Sequence, residues 1–431
     1  MINVLLLTTL SLMAALVLTR VNAMSVGAAL IIPLIPLVLA MPGLYFVFFI
    51  IGRPALDLVG RVKISGGINL ASMATFLFIL ICGKMLLKKE KLAVIRQNRF
   101  LVFFNILFSL FTVASLCSFI NTKDAIISFS DLIRMISILT AVNYAIVYFE
   151  GSNIRFFLYI AASAVLPLAF GLQQAIFKTG LADLGFNRVF GTFLHPNVLA
   201  QYLVLIITVI LYQLTTFKIR LLMKLALYVT AAVAVAELML TFTRGAWIGL
   251  SATFMLYAFI KTKPTIKIRF ILAGILIAAL VFPIVQKRFA DLSTPSSGQI
   301  NSWQWRLQQW SSTVQSIKIH PVFGHGIGMY EKNFKIMAHN DYIRISYETG
   351  FAGIGLYIIF FLFIFLTALK KLLRARSQEE INSYKTGLCL ILSFLLMSFA
   401  DNLARSTVVM VYFLVVAGYL IGKKHENSTG A

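Results

Sequence analysis

The chain has 431 residues, of which 60% are hydrophobic and 12% charged. A soluble globular protein is nearer half apolar and a quarter charged, so a soluble protein is excluded. Lys and Arg outnumber Asp and Glu by 38 to 15, a formal charge of +23. That excess does not call for nucleic acid, and no nucleic-acid partner is expected, because the basic residues gather in short loops between apolar runs, as membrane orientation requires.

In chain order the apolar runs lie near 2–19, 24–51, 69–87, 100–120, 126–148, 154–176, 198–216, 222–242, 246–260, 270–286, 343–368, 386–402 and 405–422. Most are long enough to cross a hydrocarbon core of about 30 Å, and the alternating ~10-residue segments of a membrane β-barrel are not what recurs. The fold class predicted is all-α, a polytopic membrane helix bundle of about 12–14 spans forming one integral domain over residues 1–431. The first run has no basic leader and reads as a retained span, although Val21-Asn22-Ala23 loosely resembles a cleavage site. The second contains Pro33, Pro36 and Pro42 and is either one kinked span or a span with a re-entrant piece, so the parity at the N-terminus stays open. Cys82, Cys117 and Cys389 lie far apart in apolar segments, with neither metal-ligand spacing nor a disulfide framework.

Two alternating sets of loops follow. The set 88–99, 149–155, 217–224, 261–269, 370–385 and the tail from Lys423 holds 20 Lys and Arg in short tracts, and is predicted to be cytoplasmic. The set 53–69, 121–125, 178–197, 243–245, 287–344 and 403–405 holds 15 over a much longer stretch of chain and is predicted to face outward. Its member over 287–342 is the one large hydrophilic loop. Trp303, Leu307, Trp310, Val314 and Ile317 recur there at spacings of 4, 3, 4 and 3, which predicts an amphipathic helix near 302–319 lying in the outer membrane interface. His320-Pro321 ends it, and Gly324, Gly326 and Gly328 mark a tight turn.

Three ionisable residues fall on the predicted outer side. Arg244 sits in the very short connection Thr243-Arg244-Gly245-Ala246. A cation near hydrocarbon costs about 2.5–3.5 kcal/mol unless paired or wetted, and a guanidinium fork suits two phosphate oxygens at once; the bland alternative is a hairpin arginine reaching the headgroups. Glu237, two helical turns earlier on nearly the same face, either orients Arg244, adds to a polar cavity or serves as a structural counter-ion. Arg306 is the second cation, since a leaving diphosphate gains from positive charge already in place; its alternative is an interfacial helix arginine. His339 is the candidate base, because an unperturbed imidazole titrates near ~6.5 and accepts a proton at neutral pH, as a sugar hydroxyl attacking an anomeric carbon requires; its alternative is a loop histidine bonded to backbone. His195, His320, His325 and His425 are weaker candidates. Asp131 with Arg134, and Asp401 with Arg405, read as structural pairs. Gly350 and Gly353 read as close helix packing. Arg188 and Asn197 are candidate substrate contacts.

These residues resemble the O-antigen ligase/polymerase superfamily of bacterial envelope enzymes. Thr243-Arg244-Gly245-Ala246 resembles its mid-chain arginine motif. Arg306-Leu307, with His320-Pro321 and the Gly324–Gly328 turn, resembles its large-loop segment. His339-Asn340, nine residues, then Gly350-Phe351-Ala352-Gly353 is similar to its histidine motif, and Gly191-Thr192-Phe193 with Pro196-Asn197 resembles the upstream outer loop. By motif the likeness runs from about 185 to 360; elsewhere it is hydropathy alone.

The resemblance implies a membrane glycosyltransferase of the bacterial cytoplasmic membrane with its site facing outward. The donor it implies is a glycan on undecaprenyl diphosphate, the acceptor a glycan or lipid hydroxyl, and the setting membrane lipid; neither cofactor nor metal is implied. Arg244 and Arg306 would bind the diphosphate and His339 would activate the acceptor, with Arg188, Asn197, Asn340, Trp303 and Glu237 on the substrate-binding side. Ligase and polymerase share these motifs. The competing class is a lipid-linked glycan transporter or flippase, which would place polar groups through the bundle and often carry internal repeats.

Overall fold

The computed structural model describes residues 42–262 apart from 60–62, 66–67, 150–152 and 184–185, scattered residues between 264 and 286, and residues 302–423. The expected spans near 2–19 and 270–286, residues 24–41 of the second run and the Ser293–Gly298 stretch lie outside the described residues.

What is described is an all-α membrane bundle. Seven described helices are long and apolar enough to cross a membrane, and an eighth candidate is a pair bent by 85°. The helices that matter below are α1 (Pro42–Gly52), α2 (Leu70–Leu86), α3 (Lys89–Gln97), α4 (Arg99–Cys117), α5 (Ala125–Tyr148), α6 (Asn153–Ala162), α7 (Val165–Phe177), α8 (Pro196–Thr216), α9 (Leu221–Leu240), α10 (Arg244–Phe259), α11 (Ser302–Ile317), α12 (Met329–Phe334), α13 (Asp341–Arg374), α14 (Gln378–Ser398) and α15 (Thr407–Gly422). The only described strands form two short antiparallel hairpins, Lys63–Ser65 with Ile68–Asn69 and Leu181–Asp183 with Phe186–Arg188.

The centre of the bundle is α8, α14 and α15. The apolar windows of α8 and α14 are each 78% buried, against 22% for α9, and every residue of α15 from Val408 to Gly422 is buried. The other helices pack around this trio: α10 on α14, α5 on α15, α9 on α8, and α4 on α13. Outward-facing Leu222, Leu225 and Val229 on α9 are exposed, as suits a helix bathed in lipid tails, where exposed apolar surface carries no cost.

The two sets of loops separate to opposite ends. At one end Lys261 Nζ donates to the Leu372 carbonyl and Lys371 Nζ to that of Ile421, Asn98 caps the carbonyl of Gly422, and Lys423 pairs with Glu379. Lysines thus satisfy helix C-termini that have no intrahelical partner. At the other end the 118–128, 178–197, 241–245, 302–350 and 399–406 segments meet, and every candidate site residue but Glu237 belongs to them. The alternation inferred from charge is therefore borne out as a sorting of loops.

From Ser302 onward the long loop is folded. Ile317, Tyr330, Ala338 and Tyr347 make a small core of their own, with Phe334 against it. Gly324, Gly326 and Gly328 all have positive φ, so the expected turn is present, and it docks on the start of α5: Asn121 Nδ2 donates to the Gly324 carbonyl at 2.8 Å and Ser128 Oγ to that of Ile327 at 2.7 Å.

The amphipathic helix is present as α11, with its faces divided otherwise than the apolar spacing suggests. Leu307 and Val314 are exposed while Trp310 and Ile317 turn inward, and the inward face also carries Arg306, Gln309 and Thr313. The reason is polar: Trp310 Nε1 donates to the Ala338 carbonyl at 2.8 Å, and Thr313 bonds the Tyr330 hydroxyl. The Trp303 side chain lies outside the described residues.

Gly350 corrects a second expectation. It is no small residue for helix packing but a break, with φ 65° and ψ −165° inside the 34-residue α13. A straight helix of that length would reach about 51 Å, well beyond a ~30 Å core, whereas Phe351–Arg374 alone gives about 36 Å. The break frees the carbonyls of Tyr347 and Glu348 and the amides of Phe351 and Ala352. The loop takes all four: His325 N and Gly326 N donate to the carbonyls at 2.9 and 3.0 Å, and the Pro321 and Val322 carbonyls accept from the amides at 2.8 and 3.1 Å. The segment Asp341–Thr349 is thereby stitched to the loop.

A Cβ at Gly350 would lie 2.3 Å from the Val322 carbonyl oxygen, whereas one at Gly355 meets nothing within 4 Å. Gly350→Ala is expected to lower stability by about 2 kcal/mol or more, from the strained φ and the collision together. Gly355→Ala should be neutral or slightly stabilising. Thermal unfolding of the two variants in one detergent checks this, and equal melting temperatures would remove the break as a structural requirement.

Candidate functional site

Ala400 and Asp401, in the tight turn between α14 and α15, are the meeting point. The Gly245 end of α10 abuts them: a Cβ at Gly245 would stand 3.1 Å from that of Ala400. Arg306 reaches from α11 and donates through Nη1 to the Ala400 carbonyl at 3.1 Å. His339 Nδ1 lies 3.3 Å from Asp401 Oδ1. Arg306 and His339 thus reach two consecutive residues by side-chain contacts, Arg244 begins the helix end that abuts them, and all three residues are half-buried.

The electrostatics of this turn can be read atom by atom. Asp401 Oδ2 accepts from Gln201 Nε2 of α8 at 2.9 Å, and Oδ1 accepts from the Asn402 amide at 2.9 Å as well as facing the imidazole. Burial works against its charge, but the bond with His339 and the Asn402 amide outweigh burial, and its pKa lies below the usual carboxylate value. It is an anion at neutral pH. A carboxylate only accepts, so Nδ1 is the donor in this pair and the neutral ring carries its lone pair on Nε2. The edge of the Trp305 indole approaches the imidazole, with centroids 6.4 Å apart. His339 itself has φ 51°, a left-handed conformation that β-carbon-bearing residues rarely adopt.

Asn340 gives that conformation one support. Its side chain caps α13 by accepting from Ile343 N at 3.1 Å, while its own amide donates to Asn402 Oδ1 at 3.3 Å. The cap residue next to the histidine is therefore tied to the residue next to Asp401.

Arg188 and Asn197 meet each other. Arg188 Nη2 donates to Asn197 Oδ1 at 2.7 Å, Nε to the Thr241 carbonyl at 2.8 Å and Nη1 to Asp183 at 2.6 Å. Asn197 Oδ1 also accepts from Thr243 Oγ1 at 3.2 Å. Both are buried, and together they clasp the 241–243 turn where the chain, with Phe242 at φ 53°, bends into Arg244. Next to them His195 caps α8, its Nδ1 accepting from Asn197 N at 3.2 Å. Burial chiefly, helped by Arg188 and His339, pushes its pKa below the ordinary value, so it is neutral at pH 7.

Glu237 stands apart from the turn. It is fully buried, its carboxylate lies against Gly171 of α7, where any side chain would collide with it, and its oxygens have no hydrogen-bond partner among the described residues.

Asp131 and Arg134 pair at 3.2 Å as expected, but Asp401 and Arg405 do not pair with each other. Arg405 turns to Asp131 at 2.5 Å and Glu331 at 3.2 Å. The short 3-10 turn Leu403–Arg405 sends the arginine toward α5 and leaves Asp401 for the imidazole. Asp401, Gln201 and Trp305 are the site residues that sequence reasoning missed. The sole available signal was an acidic residue in a span-to-span turn on the side of the other candidates.

Residues 229–358 match a family model, Wzy_C, described as O-antigen ligase. The match supports placing the chain in the O-antigen ligase/polymerase superfamily. It contains Arg244, Arg306 and His339 and ends just past Gly353, so it covers the three elements that meet at Ala400–Asp401 but not that turn itself. It supports a membrane glycosyltransferase of ligase/polymerase type. No curated protein matched the chain.

Asp401→Asn keeps the shape of the turn while removing the charge that faces the imidazole. Glycan transfer is expected to fall at least about tenfold, equivalent to about 1.4 kcal/mol, with the detergent melting temperature within a few degrees of the parent. Unchanged transfer would show that His339 works without its carboxylate.

Proposed function

We propose that this protein transfers or polymerises a glycan carried on undecaprenyl diphosphate onto an acceptor hydroxyl, at the outer face of the bacterial cytoplasmic membrane. The observation that carries the reading is the meeting, on a single turn at one end of the bundle, of Arg306, a carboxylate-paired imidazole and the helix end that begins with Arg244. The richer lysine and arginine content of the opposite end supports the outward assignment.

In this reading the acceptor oxygen attacks the anomeric carbon as its proton passes to His339 Nε2. The new carbon–oxygen bond forms as the bond from the anomeric carbon to the phosphate oxygen breaks, and the lipid diphosphate leaves with the electron pair. Arg306, and Arg244 at the positive end of α10, receive the developing charge. Asp401 holds the ring in the tautomer that exposes Nε2 and stabilises the imidazolium that forms. Arg188 and Asn197, bonded to each other and to the 241–243 turn, would act on the substrate side chiefly by fixing Arg244; Asn340 flanks the histidine, and Trp303 is assigned to the substrate side by resemblance alone. Glu237, fully buried against Gly171, is given no substrate contact in this reading.

Reconstitution with lipid-linked repeat units tests this. His339→Ala and Arg306→Ala should each abolish transfer with expression intact, and full transfer by either removes that residue from the mechanism. Arg244→Lys keeps charge but loses the two-pronged fork, so activity should fall steeply; parental activity would make the cation merely positional. A product ladder from repeats alone identifies a polymerase, and a single addition to a separate acceptor identifies a ligase.

A further inference from the structure

Beneath the histidine turn lies a set of almost fully buried charges. Asp341, Arg344 and Glu348 are 0%, 3% and 2% exposed. They follow the histidine at one-turn spacing on the stub of α13 that precedes the Gly350 break. Arg344 donates from Nη2 to Asp341 Oδ1 at 2.9 Å and from Nη1 to Glu348 Oε2 at 2.6 Å. The remaining oxygens leave the helix. Asp341 Oδ2 accepts from the Ala404 amide at 2.8 Å, and Glu348 Oε1 accepts from the Tyr330 amide at 3.3 Å.

The chain of bonds therefore runs from the folded loop, at Tyr330, through Glu348, Arg344 and Asp341, to Ala404 of the α14–α15 turn. Asp341 is two residues from His339, and Ala404 is three from Asp401. The base and its carboxylate partner touch across a single 3.3 Å contact. That contact is too long to hold a left-handed histidine unaided, and Asn340 adds only one more bond to the same turn, also of 3.3 Å. Burying three charges on one helical stub is costly unless all are paired and bonded in good geometry, and here each carboxylate has one oxygen on the guanidinium and one on a backbone amide. Ordinary helix capping needs none of this, because Asn340 already caps α13.

We infer that Arg344 is a positioning residue for the transfer reaction: through Asp341 and the Ala404 amide it clamps the turn bearing His339 to the turn bearing Asp401, setting the direction of the imidazole toward the acceptor hydroxyl. The inference rests on the glycosyl-transfer reading above. It places no new group in contact with substrate.

The test is steady-state transfer from lipid-linked repeat units by the full-length protein in detergent. Arg344→Lys keeps the buried charge but cannot bridge Asp341 and Glu348 together. It should lower kcat at least tenfold, leave KM for the lipid-linked donor within about twofold, and melt near the parent temperature. A merely structural residue would instead lower the amount of folded enzyme and leave kcat per folded molecule and KM alone. Should that variant fail to fold, the triple change Asp341→Asn, Arg344→Met, Glu348→Met removes every buried charge of the set, which buried ion groups tolerate when replaced together; it should melt like the parent and still lose at least tenfold in kcat. Parental kcat in whichever variant folds overturns the inference while wild-type transfer and the inactivity of His339→Ala leave the functional reading standing. No transfer by the wild-type protein overturns both.

Discussion

Asp401 is 8% exposed, yet it is ionised, and it remains so because donors reach it from segments far apart in sequence: Gln201 of α8, the imidazole ahead of α13, and the amide that follows it after α14. A charge taken out of water must be met by fixed partners or it neutralises. Meeting it constrains three helices at once. The α8 and α14 axes must present their ends at one level, and the stub of α13 must arrive with its left-handed histidine facing the turn. Arg306 on the Ala400 carbonyl and Gly245 against the Ala400 side chain then follow from the same crowded corner, where a side chain at the second residue of α10 would press on Ala400.

The histidine side of that corner is built on the folded loop. Because α13 breaks at Gly350, its first nine residues, Asp341–Thr349, form part of the loop rather than of the membrane span. A broken helix is tolerated only where other groups take up the orphaned amides and carbonyls, and the loop strand from Pro321 to Gly326 supplies all four partners. The described part of the loop and the stub are consequently joined through their backbones and share a small core. This is a sound basis for a base that must sit within hydrogen-bond reach of a moving substrate, since a displacement of about 1 Å can cost two orders of magnitude in rate.

Charge is divided between two roles. Asp131, Arg134, Arg344, Glu348, Arg405 and Glu331 satisfy one another and the backbone beneath the loop, joining α5, α12, the α13 stub and the α14–α15 turn. Arg306 sits half-buried on the Ala400 carbonyl and Arg244 half-buried at the start of the helix that abuts Ala400, the two cations to which the proposed reading gives the diphosphate. Positive charge set in place before reaction, with no reorganisation when charge develops, is what departure of a lipid diphosphate needs. The structural arginines make that possible by neutralising the acidic residues that would otherwise compete for the same cations.

How much of this was legible beforehand depends on the range of the interaction responsible. Hydropathy and charge bias are summed over many residues, so the sequence alone established an all-α polytopic bundle, the sorting of loops to two ends, the glycine turn and the loop helix, and it singled out Arg244, Arg306 and His339 as candidates. What only tertiary structure decided were choices among partners of similar chemistry. Asp401 was four residues from Arg405 and looked like its mate, yet a short 3-10 turn points them to different neighbours. Gly350 looked like a packing residue until its φ showed a break. The inward face of α11 was chosen by two hydrogen bonds, from Trp310 and Thr313, over the apolar stripe, because a buried donor left unpaired costs more than an exposed leucine at a lipid interface.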